Sequence, residues 1–428
     1  MSEAPKTSLS SQDLNKLRDF LLDNVQRGLA QNTPRMGSRR ETIQDLLEKA
    51  YAQTKLQLDS DLRKQIFGDI ADTLHGYGPL QPLLDDESVT EIMVNSHRNV
   101  FVERAGKLIR TDIQFRDENH LMQVIQNIVQ PLGRRIGEDS PSVDARLPDG
   151  SRVNAIIPPV AIDGASVTIR KFSKERLGVP ALINFGSLTD TMAQFLEACV
   201  RARLNIVISG GTGSGKTTLL NILSSFIPER ERIVTIEDAA ELQIQQEHVV
   251  RLETVPPKED GSGGMPVRAL VRNSLRMRPD RIVIGEVRGG EALDMLQAMN
   301  TGHDGSLTTL HANTPRDAIS RLETMVLMAG MDLPAASARQ QIASAIDLIV
   351  QQSRLTDGSR KVTYISEVSG MEGDIVVMSD IFRFVQTNIT PDGQVIGDMK
   401  ATGIRPLFMS RLEAAGFNLG AKVFMTPR

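Results

Sequence analysis

The stretch Asn205–Leu223 reads NIVISGGTGSGKTTLLNIL. Ile206, Val207 and Ile208 form a short continuous apolar run, the pattern of a strand buried on both faces. Gly210 to Thr217 then fits G-x-x-x-x-G-K-[ST], the loop that wraps a phosphate. Gly211, Gly213 and Gly215 lack a Cβ, so the chain can take left-handed angles and aim several N–H groups at one anion. Thr212 and Ser214 complete the loop between them. A helix starting near Lys216 adds the positive end of its dipole, and Lys216 adds a mobile ammonium. Thr217 sets a hydroxyl where a phosphate-bound Mg²⁺ would sit, and Thr218 follows it. The strand before and the leucine-rich helix after set this loop apart from a chance glycine turn. A nucleoside triphosphate with Mg²⁺ is the ligand the segment leads one to expect.

The 428 residues are enough for about three domains at roughly 150 residues each. With 40% apolar and 24% charged residues, the chain is composed like an ordinary globular protein. No apolar run approaches the ~18–20 residues that cross a bilayer, so membrane association is expected to be peripheral and the location cytoplasmic. The opening MSEAPKTSLSSQDLNK has neither an apolar core nor a cleavage-site pattern, and does not read as a secretory signal. A single cysteine, Cys199, excludes an internal disulfide and reads as a buried structural thiol. A net charge of −4 with 4% aromatic residues argues against an extended nucleic-acid surface.

Along the chain, residues 1–40 read as a flexible segment with a helical stretch at Ser11–Leu29. Apolar spacings of three and four mark helices at Glu41–Leu58 and Asp59–His75, a helical region over 41–75. Residues 76–180 have the texture of a compact α+β domain, with Pro148-Asp149-Gly150 as a hairpin turn. Residues 181–187 are expected to be a linker, with a hinge over 178–187. From 188 to 428 strands alternate with helices, the mark of a mainly parallel sheet. Strands are predicted at Ile206–Ser209, Ile233–Glu237, Val249–Leu252, Ile282–Gly285 and Ser306–His311. Helices are predicted at Pro315–Met328 and Ala335–Val350, and PPKEDGSGG as a flexible loop.

In a parallel sheet, ligands gather at the carboxyl ends of the strands. RIVTIEDAAEL ends a strand in Glu237 and Asp238, where a carboxylate can orient and deprotonate a water. Glu241 reads as a solvated helix residue. In RPDRIVIGEVRGGEA, the place where a Walker B strand usually has Asp is Gly285, and Glu286 follows. Glu286 is the candidate to hold Mg²⁺ with Thr217, through water. His311 ends the next strand, in TGHDGSLTTLHANTP, where it could hydrogen-bond the γ-phosphate; His303 is the weaker of the two.

Taken in order, the phosphate loop, IEDAAEL, RMRPDRIVIGEVRG and GHDGSLTTLHAN resemble the type II and type IV secretion ATPases. The long stretch from Ser274 to Pro334 is similar to the tight-adherence (Tad/Flp) pilus branch, the CpaF-like proteins. The resemblance implies a RecA-like α/β domain preceded by a smaller α+β domain, in homo-hexameric rings that couple ATP hydrolysis to moving pilin. It also implies inner-membrane platform proteins as partners, with pilin moved indirectly; from the composition, no nucleic acid is expected. Arginines from the preceding domain are expected to reach the phosphates, which nominates Arg152 and Arg170, with Arg146 a weaker third. Where the family often reads RDL, this chain has Arg268-Ala269-Leu270, so the neighbouring acid that would form a salt bridge there is missing.

The expected function is assembly of a type IV-like pilus, with retraction left open. Its rival is a type IV secretion ATPase moving protein or DNA. An ABC-type ATPase is disfavoured, since no LSGGQ-like segment follows the loop, and a scaffold that binds ATP without turnover sits poorly with the intact acids. The methionines of LETMVLMAGM read as core or subunit interface, and the basic cluster Arg35–Arg40 as a solvated linker.

Overall fold

The computed structural model describes residues 11–31, 39–54, 56–75, 77–104, 106–172, 177–257, 262–330 and 333–425. The chain divides into two compact units, Met1–Lys174 and Glu175–Arg428. No helix among the described residues is long and apolar enough to cross a membrane.

The first unit opens with three helices, α1 (Ser11–Gln31), α2 (Arg39–Thr54) and α3 (Ser60–His75). Leu17, Leu21 and Val25 of α1 pack with Ile43, Leu47 and Tyr51 of α2 and Ile66, Phe67 and Ile70 of α3 in one apolar cluster. Residues 11–31 are therefore not a flexible segment: the periodic leucines bury a stripe, and burial holds the helix. Of the stretch QNTPRMGSRR read as a linker, residues 32–38 lie outside the described residues. After α4 (Gln81–Asp85) come β1 (Val89–Ser96), β2 (Asn99–Arg104), β3 (Lys107–Arg110), α5 (Glu118–Val129), β4 (Ser142–Arg146), β5 (Arg152–Ile156) and β6 (Ser166–Arg170). The six strands form one antiparallel sheet in the order β3-β2-β1-β6-β5-β4. Asp117 caps α5 by accepting from the His120 amide, and Leu121, Val124 and Ile125 seat that helix on Ile92, Val94 and Ile169. Gly150, at φ +93°, makes the β4–β5 turn.

The second unit starts with α6 (Val179–Asn184) and α7 (Asp190–Arg201). The linker and hinge expected over 178–187 are thus part of this unit. Leu182 and Leu188 are buried in its core, and the Ser187 hydroxyl donates to the Arg360 carbonyl at 2.6 Å. A proline and a glycine at a helix start looked like a break in the sequence, but Pro180 occupies the first turn, where it is tolerated.

Then follow β7 (Ile206–Gly210), α8 (Lys216–Ser224), β8 (Ile233–Glu237), β9 (Val249–Glu253), α9 (Val267–Ser274), β10 (Arg281–Ile284), α10 (Glu291–Asn300), β11 (Leu307–Leu310), α11 (Pro315–Leu327) and α12 (Ala335–Ala345). The chain closes with β12 (Leu348–Arg354), β13 (Arg360–Glu372), β14 (Ile375–Ile389), β15 (Val395–Ala401) and α13 (Met409–Ala414). The nine strands run β15-β14-β13-β12-β7-β11-β10-β8-β9. From β12 to β9 every neighbouring pair is parallel. β12 to β15 form an antiparallel meander. This is an α/β fold in which six parallel strands run from β12 to the β9 edge and the antiparallel meander extends the sheet on the other side.

One difference from the sequence reading matters below. The helix predicted over Ala335–Val350 stops at Ala345, and Leu348–Val350 enter the sheet beside β7. Their burial on both faces overrides the helical spacing. The alternation along β7 shows how: Ile206 and Ile208 face one apolar layer and Val207 the other. Cys199 is fully buried, and that burial pushes its thiol well above the ordinary range. Of the methionines in LETMVLMAGM, Met325 is core while Met328 is exposed.

Leu21→Ala should cost about 2–5 kcal/mol in the helical cluster. The expected result is faster amide exchange in α1 and its early proteolysis; unchanged protection would restore the flexible reading of residues 11–31.

Candidate nucleotide site

Because β7, β8, β10 and β11 run parallel, their carboxyl ends share one edge of the sheet. Ile284 pairs with both Ile236 and Thr308, and Leu310 pairs with Ser209. Glu237, Gly285-Glu286, His311 and the loop after Gly210 therefore leave the sheet side by side, although more than a hundred residues separate the first from the last. His303 lies at the opposite, amino end of β11 and takes no part.

In the loop, Gly213 and Gly215 adopt φ +69° and +95°, which a side chain would resist. Gly211 stays outside that region. Thr212 is exposed, Ser214 is buried, and Thr217 and Thr218 lie half-buried in the first turn of α8. Lys216 opens that helix, 8% exposed, and its Nζ donates to the Gly211 carbonyl at 3.0 Å. Burial lowers its ammonium below the ordinary lysine range; Glu286 opposes the shift and Arg288 adds to it.

Lys216 Nζ is 3.4 Å from His311 Nδ1, and His311 Nε2 is 3.0 Å from Glu286 Oε1. Arg288 Nη2 donates to Glu286 Oε2 at 2.7 Å and also approaches Asp238 at 3.6 Å. Burial, and then the charge of Lys216, hold the His311 imidazole below its usual range, against the pull of Glu286. That order suits a neutral ring, one nitrogen of which can accept from Lys216, whose Nζ stands 3.4 Å from Nδ1 and 3.5 Å from Nε2. For Glu286, burial raises the carboxyl, but the Arg288 hydrogen bond and the charges of His311, Arg288 and Lys216 outweigh it; the net shift is downward. Glu286 is therefore a carboxylate. Arg288 is a member the sequence reading missed, although it stands two residues on in the same GEVRGG turn.

Glu237 is 4% exposed. Its Oε1 accepts from the amides of Glu241 and Leu242 at 2.7 and 2.9 Å, while Oε2 has no partner among the described residues. Burial raises its carboxyl above the ordinary range, opposed by those two amides. A buried acid with one oxygen fixed and one unspent is poised to take a proton or hold a water. This side chain also accounts for Gly285. A Cβ there would stand 2.9 Å from Glu237 Cγ, so the acid usual at that position has no room.

The donor set for a cation is one hydroxyl, Thr217, and one carboxylate, Glu286. Hard oxygens in small number suit Mg²⁺, which keeps most of its waters and shares the phosphates. Among the described residues no group of three acidic, His or Cys side chains could hold a metal alone.

Arg152 and Arg170 belong to the other unit. They are register partners across β5 and β6, and Arg146 is the partner of Arg152 on β4. Directly opposed residues on antiparallel strands share a face, so the three arginines form one row across three strands. Arg268 does form a salt bridge despite the missing neighbouring acid. Its Nε lies 2.7 Å from buried Asp294, which Arg272 also holds at 2.6 Å. The carboxylate comes from α10, 26 residues on, where local spacing gave no sign of it.

A family described as type II/IV secretion system protein matches residues 73–374. The conjugal transfer protein TrbB of Rhizobium radiobacter is 35% identical over 295 residues, spanning 68% of this chain and 86% of the relative. The type IV secretion system protein VirB11 of Bartonella quintana is 34% identical over 351 residues, spanning 72% and 96%. Among solved structures, the VirB11 ATPase of Brucella suis is 32% identical, covering 67% of this chain and 94% of that one, at a TM-score of 0.38.

The raised Glu237 carboxyl carries a sign. A folded-state value above the unfolded one means stability falls as pH rises from the ordinary glutamate range through the folded value. Glu237→Gln should therefore raise Tm at pH 7, with the gain fading as pH falls into the ordinary glutamate range. An unchanged or lowered Tm at pH 7 would refute the buried-charge account.

Proposed function

The chain belongs to the type II/IV secretion system protein family, and on that premise we propose that it is an Mg²⁺-dependent ATPase, working as a ring of six copies docked at the inner membrane, that drives a type IV secretion-type transfer of protein or DNA. The observation that carries the catalytic part is the line Lys216, His311, Glu286 and Arg288 at the mouth of the phosphate loop. The names of the matched relatives, conjugal transfer and type IV secretion proteins, favour transfer over the pilus expectation. Assembly of a tight-adherence pilus is the second reading, favoured by the resemblance of Ser274–Pro334 to that branch.

In this proposal the loop amides of Gly211 to Thr218 and Lys216 hold the β- and γ-phosphates. Thr217 and Glu286 hold the Mg²⁺, which would neutralise charge on the phosphate oxygens. Glu237 orients the attacking water and receives its proton; its raised affinity for protons suits that task. His311, neutral and beside Lys216, donates to the γ-phosphate and loses that partner when phosphate leaves. Arg152 and Arg170 supply charge to the transferring group, from the same chain or a neighbour. Hydrolysis needs no covalent intermediate, only position and fixed charge.

Lys216→Ala and Glu286→Gln should each lower kcat by at least about a hundredfold, measured as phosphate release; near-normal turnover in either would sink the reading. His311 should stay neutral to a pH below the ordinary histidine range. An acid limb in the pH–rate profile is then expected there, and His311→Gln should remove it. Mixing inactive Arg152→Ala and Glu237→Ala chains should restore activity if a neighbour supplies the arginine. Loss of secreted or conjugated cargo with surface pili intact in a null strain selects transfer; the reverse selects pilus assembly.

A further inference from the structure

The flank of the phosphate loop away from His311 holds two arginines with no role so far. β12 continues alongside β7 until Gln352 pairs with Gly210, so the β12–β13 hairpin stands next to the loop. Arg354 and Arg360 are directly opposed across that hairpin. Arg360 Nε donates to the Gly213 carbonyl at 2.9 Å, and its Cδ would touch a Cβ placed on Gly215 at 3.3 Å. Arg354 Nη1 lies 3.8 Å from where a Gly213 Cβ would stand.

Two like charges directly opposed across strands are destabilising, and no acid offsets this pair. Among the described residues Arg354 makes no hydrogen bond or ion pair, and the Arg360 guanidinium makes only its bond to Gly213. Asp357 lies in the same turn, but it is engaged elsewhere. It accepts from Ser359 N and Oγ at 2.9 and 2.6 Å and from Val395 N at 2.9 Å, which takes its carboxyl down to about 2. Those bonds, Gly358 at φ +83°, and the hold of Ser187 on the Arg360 carbonyl fix the hairpin before any ligand arrives. The result is uncompensated, preorganised positive charge beside an anion-binding loop.

Resting on the nucleotide reading above, we propose that Arg354 and Arg360 grip the part of the nucleotide common to ATP and ADP. The sheet order gives the direction. His311 and Glu286 stand on the β11 and β10 side of β7 and mark the γ-phosphate end. β12 is the neighbour on the other side, so its arginines meet the α-phosphate and nucleoside end of the same ligand. They set affinity rather than turnover.

The test uses the full chain with ATP and ADP as probes. Arg354→Ala should raise KM for ATP and the inhibition constant for ADP together, about tenfold or more, while kcat stays within about twofold. Arg354→Lys should recover only part of the loss, since an ammonium cannot present the same fork of donors. Without nucleotide the Arg354→Ala protein should melt at or slightly above the parent temperature, because the side chain has no partner to lose among the described residues and its opposition to Arg360 is relieved; the rise in Tm on adding ADP should shrink. Arg360→Ala should show the same joint rise in KM and ADP constant, with some loss of Tm from the freed Gly213 carbonyl. Unchanged KM and ADP affinity in Arg354→Ala would overturn the proposal, as would a fall in kcat with ADP affinity intact. A parent protein that binds no nucleotide would instead remove the function reading itself.

Discussion

The parallel register of the central sheet is the constraint on which the site depends. Each strand ends at the same edge, so side chains far apart in the sequence converge without any long loop having to carry them. Ile206, Val207 and Ile208 make this possible by filling apolar layers on both faces of β7. At ~1.5–3 kcal/mol for each buried aliphatic side chain, that packing fixes the strand against slippage. A one-residue slip would exchange the two layers and carry every terminal residue out of place.

Much of this was legible because the informative signals are local. A short apolar run followed by a glycine-rich turn and a leucine-rich helix can mean little else, and β8, β10 and β11 were found to within a residue or two in the same way. The acids at their tips followed from the rule that ligands collect at carboxyl ends. What escaped detection depends on contacts far along the chain. Arg360 is 147 residues from its partner Gly213, and it was hidden further because Ala335–Val350 carries helical spacing right up to the start of β12. Asp294 answers Arg268 from another helix, and Ser187 answers Arg360 from a segment that reads as a linker. In each case the partner lies too far along the chain for any local pattern to announce it.

Polar groups in the site are balanced closely. Glu286 remains ionised because cations surround it, whereas Glu237, nearby, is drawn toward its neutral form by burial. Two acids at one edge of a sheet are thus driven apart in proton affinity by their surroundings alone, a device by which an enzyme separates a charge-holding role from a proton-accepting one. Gly285 belongs to the same arrangement: its missing side chain is the space that Glu237 occupies.

The central place of β7 has a consequence for how the protein is made. Its two neighbours, β11 and β12, lie about 100 and 140 residues further along the chain, and the turn that steadies Arg360 is itself fastened by Val395. During synthesis the loop sequence leaves the ribosome long before either neighbour exists, and such distant pairings close slowly. An unfinished chain therefore carries the whole phosphate-binding motif without the frame that gives it a shape. The loop gains its frame only after the chain has been made as far as β12 and Val395.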